Sequence, residues 1–117
     1  MLSAAYRFHG HRSLSFLFRQ GNVTRRKMLS LKYILNSRRP TSRCAVVVGR
    51  KVSKSSPVRN RIRRRIYEIV RVHWTELQSG YDMAFFVYDD SVATLEHAEL
   101  EALVVGLLKD AGILADI

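Results

Sequence analysis

The chain has 117 residues, 47% of them hydrophobic, enough for one globular core and too apolar for a disordered basic tail. It carries 20 Lys/Arg against 10 Asp/Glu, a net charge of +10, and one cysteine, which excludes an internal disulfide and any Cys-cluster metal site. No apolar run approaches the roughly 20 residues that span a bilayer, and the N-terminus lacks the apolar stretch of a secretory signal.

The charge is segregated. Of the 20 Lys/Arg, 19 lie at or before Arg71, and 9 of the 10 Asp/Glu lie at or after Glu76, so the first 75 residues carry +18 and the last 42 carry −8. A single domain with that asymmetry presents one electropositive side to a polyanion, with nucleic acid favoured over an anionic membrane.

In chain order, Met1 to Phe18 bears Arg and His without acids, which loosely resembles an organellar transit peptide but reads better as the approach to a first helix. Residues 1–6 are expected to be flexible. The helix itself runs from Ser13, a candidate N-cap, to Gly21, placed to end it with φ > 0. Leu14, Leu17 and Phe18 share its inward face, while Phe16 points elsewhere. A short strand is possible over Val23 to Lys27. Met28 to Leu35 alternates, with Leu29, Leu31, Tyr33 and Leu35 on one face and Ser30 and Lys32 on the other. The turn cluster Asn36 to Ser42 predicts a hairpin to a buried strand over Arg43 to Gly49, with Cys44 as a small buried hydrophobe. That use of cysteine fits a reducing cytoplasm.

Arg50 to Ser56 is a polar connection, and Ser56-Pro57 reads as a cap followed by Pro at the first helical position. The helix from about Pro57 to Trp74 has an inward stripe of Val58, Ile62, Ile66, Ile69 and His73. Arg59, Asn60, Arg63, Arg64, Tyr67 and Arg71 cover the opposite side. Gln78 to Gly80 closes this segment. Asp82 to Tyr88 is another strand, Asp89-Asp90-Ser91 a turn, and Leu95 to Ala111 a last amphipathic helix that ends at Gly112. The class is α+β, one domain over 1–117, in the order α-β-β-β-α-β-α with a mostly antiparallel central sheet and flanking helices.

Six guanidiniums (Arg59, Arg61, Arg63, Arg64, Arg65 and Arg71) on one helix, with only Glu68 to offset them, cost helix stability through like-charge repulsion. An ordinary solvated face interleaves acids. Arginine suits bidentate phosphate contacts and base stacking, and Asn60 adds a hydrogen-bonding group within the basic face. Arg50, Lys51 and Lys54 add cations just before the helix N-terminus, where free N–H groups favour anions. The glycine spacing of a P-loop is absent.

The run from Arg50 to Arg64, with its basic loop, Ser55-Ser56-Pro57-Val58 and then Arg59-Asn60-Arg61, resembles the signature of the bacterial ribonuclease P protein subunit family. The resemblance extends through Arg7-Phe8, Phe18-Arg19-Gln20-Gly21, the strands at Met28 to Leu35 and Cys44 to Gly49, and Tyr81-Asp82-Met83, nearly the whole chain in order. It implies a protein that binds a large catalytic RNA, in a particle that cleaves the 5′ leader from precursor tRNA. Hydrolysis would be carried out by the RNA with Mg²⁺ held by RNA and substrate, and no protein side chain would be catalytic. Arg50, Lys51, Lys54, Arg59, Asn60, Arg61, Arg63 and Arg64 would face the catalytic RNA. A cleft between the first helix and the sheet, lined by Phe16, Phe18, Arg19, Lys32 and Tyr33, would hold the leader. The resemblance also implies a left-handed β-α-β crossover, and a monomer, one per RNA, with ribonuclease P RNA and precursor tRNA as partners and neither membrane nor DNA. Leu14 and Lys32 depart from the aromatic residues that relatives carry there, so charge partly replaces stacking.

Three alternatives are open: a general RNA-binding or ribosomal protein, a DNA-binding regulator, and a stand-alone nuclease holding metal on Asp82, Asp89 and Asp90. His9 and His11, beside Arg12, are too few and too isolated from other donors for a metal site.

Overall fold

The computed structural model describes residues 6–7, 11–36 and 40–115, with α1 described by its backbone alone at residues 11–13. The elements are α1 (His11–Gln20), β1 (Asn22–Arg26), β2 (Leu29–Leu35), β3 (Arg43–Val48), α2 (Ser56–His73), β4 (Tyr81–Val87) and α3 (His97–Asp110). The element order is the one read from the sequence.

The sheet order is β1-β2-β4-β3, with β1–β2 and β2–β4 antiparallel and β3–β4 parallel. β4 takes a central place because Met83-Ala84-Phe85-Phe86-Val87 is apolar on both faces, and every residue from Asp82 to Val87 is buried. β1, whose sequence is Asn-Val-Thr-Arg-Arg, is exposed on most positions and suits an edge. The expected hairpin between Met28–Leu35 and Arg43–Gly49 therefore does not form. β4 lies between these strands, and the hairpin joins β1 to β2 instead. Its turn places Met28 at φ 68, and Tyr88 N–H donates to the Met28 carbonyl at 3.0 Å. β3 reaches its parallel partner through α2, the β-α-β arrangement that the resemblance implies.

Helices cover both faces. On one, Leu29, Leu31, Cys44, Val46, Met83 and Phe85 pack with Ile62, Ile66 and Ile69 of α2 and Leu100, Val104 and Leu107 of α3. On the other, Ala45, Ala84 and Phe86 receive Leu17 of α1. The two alanines keep that face shallow enough for α1 to lie close. Gly21 serves the same approach: a Cβ there would stand 2.5 Å from the Leu17 carbonyl oxygen. Its role is this close contact and not the positive φ expected from the sequence; among the described glycines that conformation belongs to Gly80 and Gly112. Phe18, expected inward, sits on the rim and is 56% exposed.

α2 begins one residue earlier than expected. Ser55, not Ser56, is the cap: its side chain accepts from Val58 N–H at 3.3 Å, with Pro57 inside the first turn. Arg59 N–H donates to the Ser55 carbonyl at 3.1 Å. Pro57 has no N–H, so few amides remain at this terminus to attract an anion, and the attraction expected there falls to side chains. Tyr67, expected on the basic face, is buried, and its hydroxyl accepts from Val46 N–H of β3 at 3.1 Å. At the far end of α2, Trp74 stacks on Tyr6, ring centroids 4.9 Å apart. Arg7 pairs with Cys44 in a parallel bridge along the outer side of β3. Residues 1–5 and His9 lie outside the described residues.

Asp82 is a register partner of Arg43 and is held by two bonds of 2.9 Å from the Arg43 guanidinium, both groups largely buried. Asn36 donates to the same carboxylate at 3.3 Å. Replacing Arg43 with Met strands a buried carboxylate and is expected to cost about 3 kcal/mol. The double variant R43M/D82L should recover most of that loss in urea denaturation. Burial raises the Cys44 thiol above its usual pKa, and the thiolate is the reactive form. The folded protein should leave a colorimetric thiol reagent uncoloured, with one equivalent reacting only after unfolding.

Candidate nucleic-acid interface

The arginines of α2 divide into two kinds. Arg59 is half-buried and donates to the Ser53 carbonyl at 2.8 Å and to Ser56 Oγ at 2.9 Å, so it shapes the 50–56 loop. Arg65 donates to the Val92 carbonyl at 2.6 Å and to that of Leu95, tying α2 to the approach to α3. Burial first, and the neighbouring charge of Arg61 second, hold its pKa below the usual guanidinium range. Arg71 grips Glu68 through contacts including two of 3.0 Å, and its hydrogen bonds are the largest cause holding the Glu68 carboxyl below its usual range. The remaining three face outward. Arg63 is oriented by donating to Asn60 Oδ1. Arg61 and Arg64 are exposed and meet no hydrogen-bond acceptor or acid among the described residues.

Among the described residues, three clefts run along this helix. The largest, about 940 Å³, lies between Leu14 of α1, the outer side of β3 and the Asn60, Arg63, Arg64 and Tyr67 flank of α2. A second, about 570 Å³, is bounded by Arg50, Lys51, Lys54, Ser56 and Arg59. The third, about 420 Å³, opens between α2 and the start of α3. The eight residues expected to face an RNA are divided among these three clefts, and Arg59 is committed to the loop.

The groove expected between α1 and the sheet is smaller than predicted in its membership. Phe18 meets Phe86 edge-on, centroids 5.0 Å apart at 74°. Lys32 Nζ lies over the Phe18 ring at 3.7 Å and 5.6 Å from that of Phe86. Phe16 is exposed, but it projects about 200° around α1 from Phe18. Arg19 is exposed beyond Phe18. Tyr33 is not in the groove: alternation along β2 puts it on the α2/α3 face, where its ring lies 6.3 Å from that of Tyr81.

Phe86 and Tyr88 were not anticipated. The β2–β4 register sets Ala84 beside Lys32 and Phe86 beside Ser30. Tyr88 shares a 2.8 Å hydrogen bond with Ser30 Oγ, and the Arg25 guanidinium lies 4.7 Å over its ring. Alternation through Ala84, Phe86 and Tyr88 was a usable signal for their common face. What it lacked was the identity of the neighbouring strand.

Asp82 and the pair Asp89-Asp90 stand at opposite ends of a seven-residue strand, about 20 Å apart. Asp89 caps the following 3-10 turn by accepting from Ser91 N–H at 2.9 Å. Among the described residues no three His, Cys, Asp or Glu side chains come together as metal ligands. No described helix is long and apolar enough to cross a membrane.

Comparison with known proteins bears on this arrangement. The family model for ribonuclease P matches residues 2–112. The ribonuclease P protein component of Roseiflexus castenholzii is 35% identical over 112 residues, 96% of this chain and 90% of that protein. One from Clostridium botulinum is 35% identical over 98 residues, 83% of this chain and 86% of the relative. Among solved structures, the RNase P protein of Staphylococcus aureus superposes with a TM-score of 0.83 at 17% identity, over 93% of this chain and 97% of that one. That of Thermotoga maritima gives 0.78 at 21% identity, over 89% and 96%. The shared fold and the near full-length sequence match place this chain in the ribonuclease P protein family.

Proposed function

We propose that this chain is the protein subunit of a ribonuclease P particle, which binds the catalytic RNA through α2 and its preceding loop and holds the 5′ leader of precursor tRNA in the groove between α1 and the sheet. The observation that carries this reading is the separation of two surfaces. Arg61, Arg63 and Arg64 project from α2, which packs on one face of the sheet, while Phe18, Lys32 and Phe86 lie on the other face, with the cleft around the outer side of β3 between them. A protein with a single polyanion site needs only one of them.

The mechanism is positional. Each phosphate neutralised by α2 releases condensed counterions and adds to affinity at low salt. In the groove, a base stacking on Phe18 would displace Lys32 from the ring. That exchange is favourable, since stacking contributes about 1–3 kcal/mol per base against about 0.5–1 for an exposed cation–π contact. Lys32 is then free to meet the leader backbone. Held on both sides, the scissile bond is aligned for RNA-based hydrolysis. Divalent ions would be held mainly by RNA and substrate. The particle would act in the cytoplasm with one protein per RNA.

The test is reconstitution. The purified protein alone should leave precursor tRNA intact, yet raise its cleavage by a bacterial ribonuclease P RNA at low Mg²⁺. Cleavage without RNA would overturn the proposal, and RNA binding without enhanced 5′ processing would point to a general RNA-binding protein. The groove has its own signature. F18A and K32A should each weaken precursor binding about 5-fold or more when the leader is present. Neither should affect a substrate with no leader, as read by gel-shift titration of the assembled particle.

A further inference from the structure

Arg7 is the basic residue of the largest cleft that does not come from α2. Its backbone pairs with Cys44 on the outer side of β3, and its guanidinium lies 5.8 Å over the Tyr67 ring. Its Nε is buried and has no hydrogen-bond partner among the described residues. A buried donor left unmet is costly to a fold. This one stands beside about 940 Å³ of open cleft that no described acid lines, a place suited to an anionic acceptor from outside the chain.

The cleft wraps around the edge of the sheet. Leu14, Ala45 and Val47 form its α1 wall and pack with Leu17, Ala84 and Phe86. Val47 is also the register partner of Phe86, so this wall runs on from the leader groove. The other wall is the Asn60, Arg63 and Tyr67 flank of α2. We propose that the cleft carries the precursor strand between the two surfaces, and that Arg7 holds a leader phosphodiester where the strand rounds β3. The inference rests on the reading of the α1 groove as the leader site. A strand gripped at Phe18 on one face, and cut beside an RNA docked on α2, has to pass an edge of the sheet. The β1 edge leads to α3 instead, where Arg26 and Asp110 are paired. Along the β3 route, the apolar α1 wall suits sugars and bases, and the planar fork of Arg7 suits the two free oxygens of a phosphodiester. That phosphate belongs to the leader and not to the catalytic RNA, because the wall facing Arg7 is continuous with the groove.

The experiment assembles particles from a bacterial ribonuclease P RNA and the full chain, unmodified or carrying R7Q, R7K or F18A. Each is titrated with precursor tRNA with and without its leader. R7Q should weaken the leader-bearing precursor about 10-fold. It should leave the leaderless precursor, and the affinity of the protein for the RNA alone, within about 2-fold of wild type. R7K keeps the charge without the planar fork and should recover part of the loss. Neutral methylphosphonate linkages, placed one at a time along the leader, should reveal one position that weakens the unmodified particle about as much as R7Q does. At that position R7Q particles should lose nothing further. Weakened binding of R7Q to the RNA alone would put Arg7 on the docking face and overturn the assignment. Full affinity of R7Q for the leader-bearing precursor would overturn it too. With F18A weakened, the groove reading then stands; with F18A also at wild type, both fall. A leader with no methylphosphonate-sensitive position in the unmodified particle would overturn the contact even if R7Q failed to fold.

Discussion

β4 has no polar face. A strand that is apolar on both sides has to lie inside a sheet covered on both sides, and with three helices available the cover divides unevenly. α2 and α3 take one face, and the short α1 takes part of the other. The part that α1 leaves uncovered holds Lys32 and Tyr88, beside Phe86 which α1 covers, so the groove is a direct consequence of a ten-residue helix on a four-stranded sheet. The same division sends α2 to the other face of the sheet. The separation of the α1 groove from α2 on one small domain follows from the burial demands of seven residues.

Electrostatics add a second layer to this geometry. Of the six arginines on α2, Arg59, Arg65 and Arg71 are spent on the protein itself, on a loop, a helix approach and an acid. The other three face outward, Arg63 oriented by Asn60. Of the acids gathered in the last 42 residues, α3 carries Glu99, Glu101 and Asp110, and Asp110 is paired with Arg26 of β1. An approaching polyanion meets a domain with one favourable orientation.

The helices, the four strands and the class were legible in the sequence because periodicity reports which side of an element is buried. Pairing was not. Asn36 to Ser42 looks like a hairpin turn, and nothing in its composition says that β4, some forty residues later, inserts between the strands it joins. The misplacement of Tyr33 has the same root. Its alternation partners Leu29 and Leu31 were identified correctly, but which helix covers their face is a tertiary fact. Tyr67 was misread because an aromatic residue flanked by arginines matches a binding face, whereas its hydroxyl serves a strand. The basic residues were readable as a group, and their division into structural and outward-facing members depends on carbonyl positions that no sequence pattern encodes.

That Tyr67 hydroxyl has a consequence beyond packing. β3, Arg-Cys-Ala-Val-Val-Val, is the outer strand on its side of the sheet and the most β-prone segment of the chain. Left open, it would template pairing with another copy, the route by which exposed strands aggregate. Tyr67 occupies the Val46 amide, and the bridge from Arg7 occupies the strand at Cys44. The folded chain therefore keeps its most β-prone strand from offering a second molecule an open edge at Cys44 and Val46.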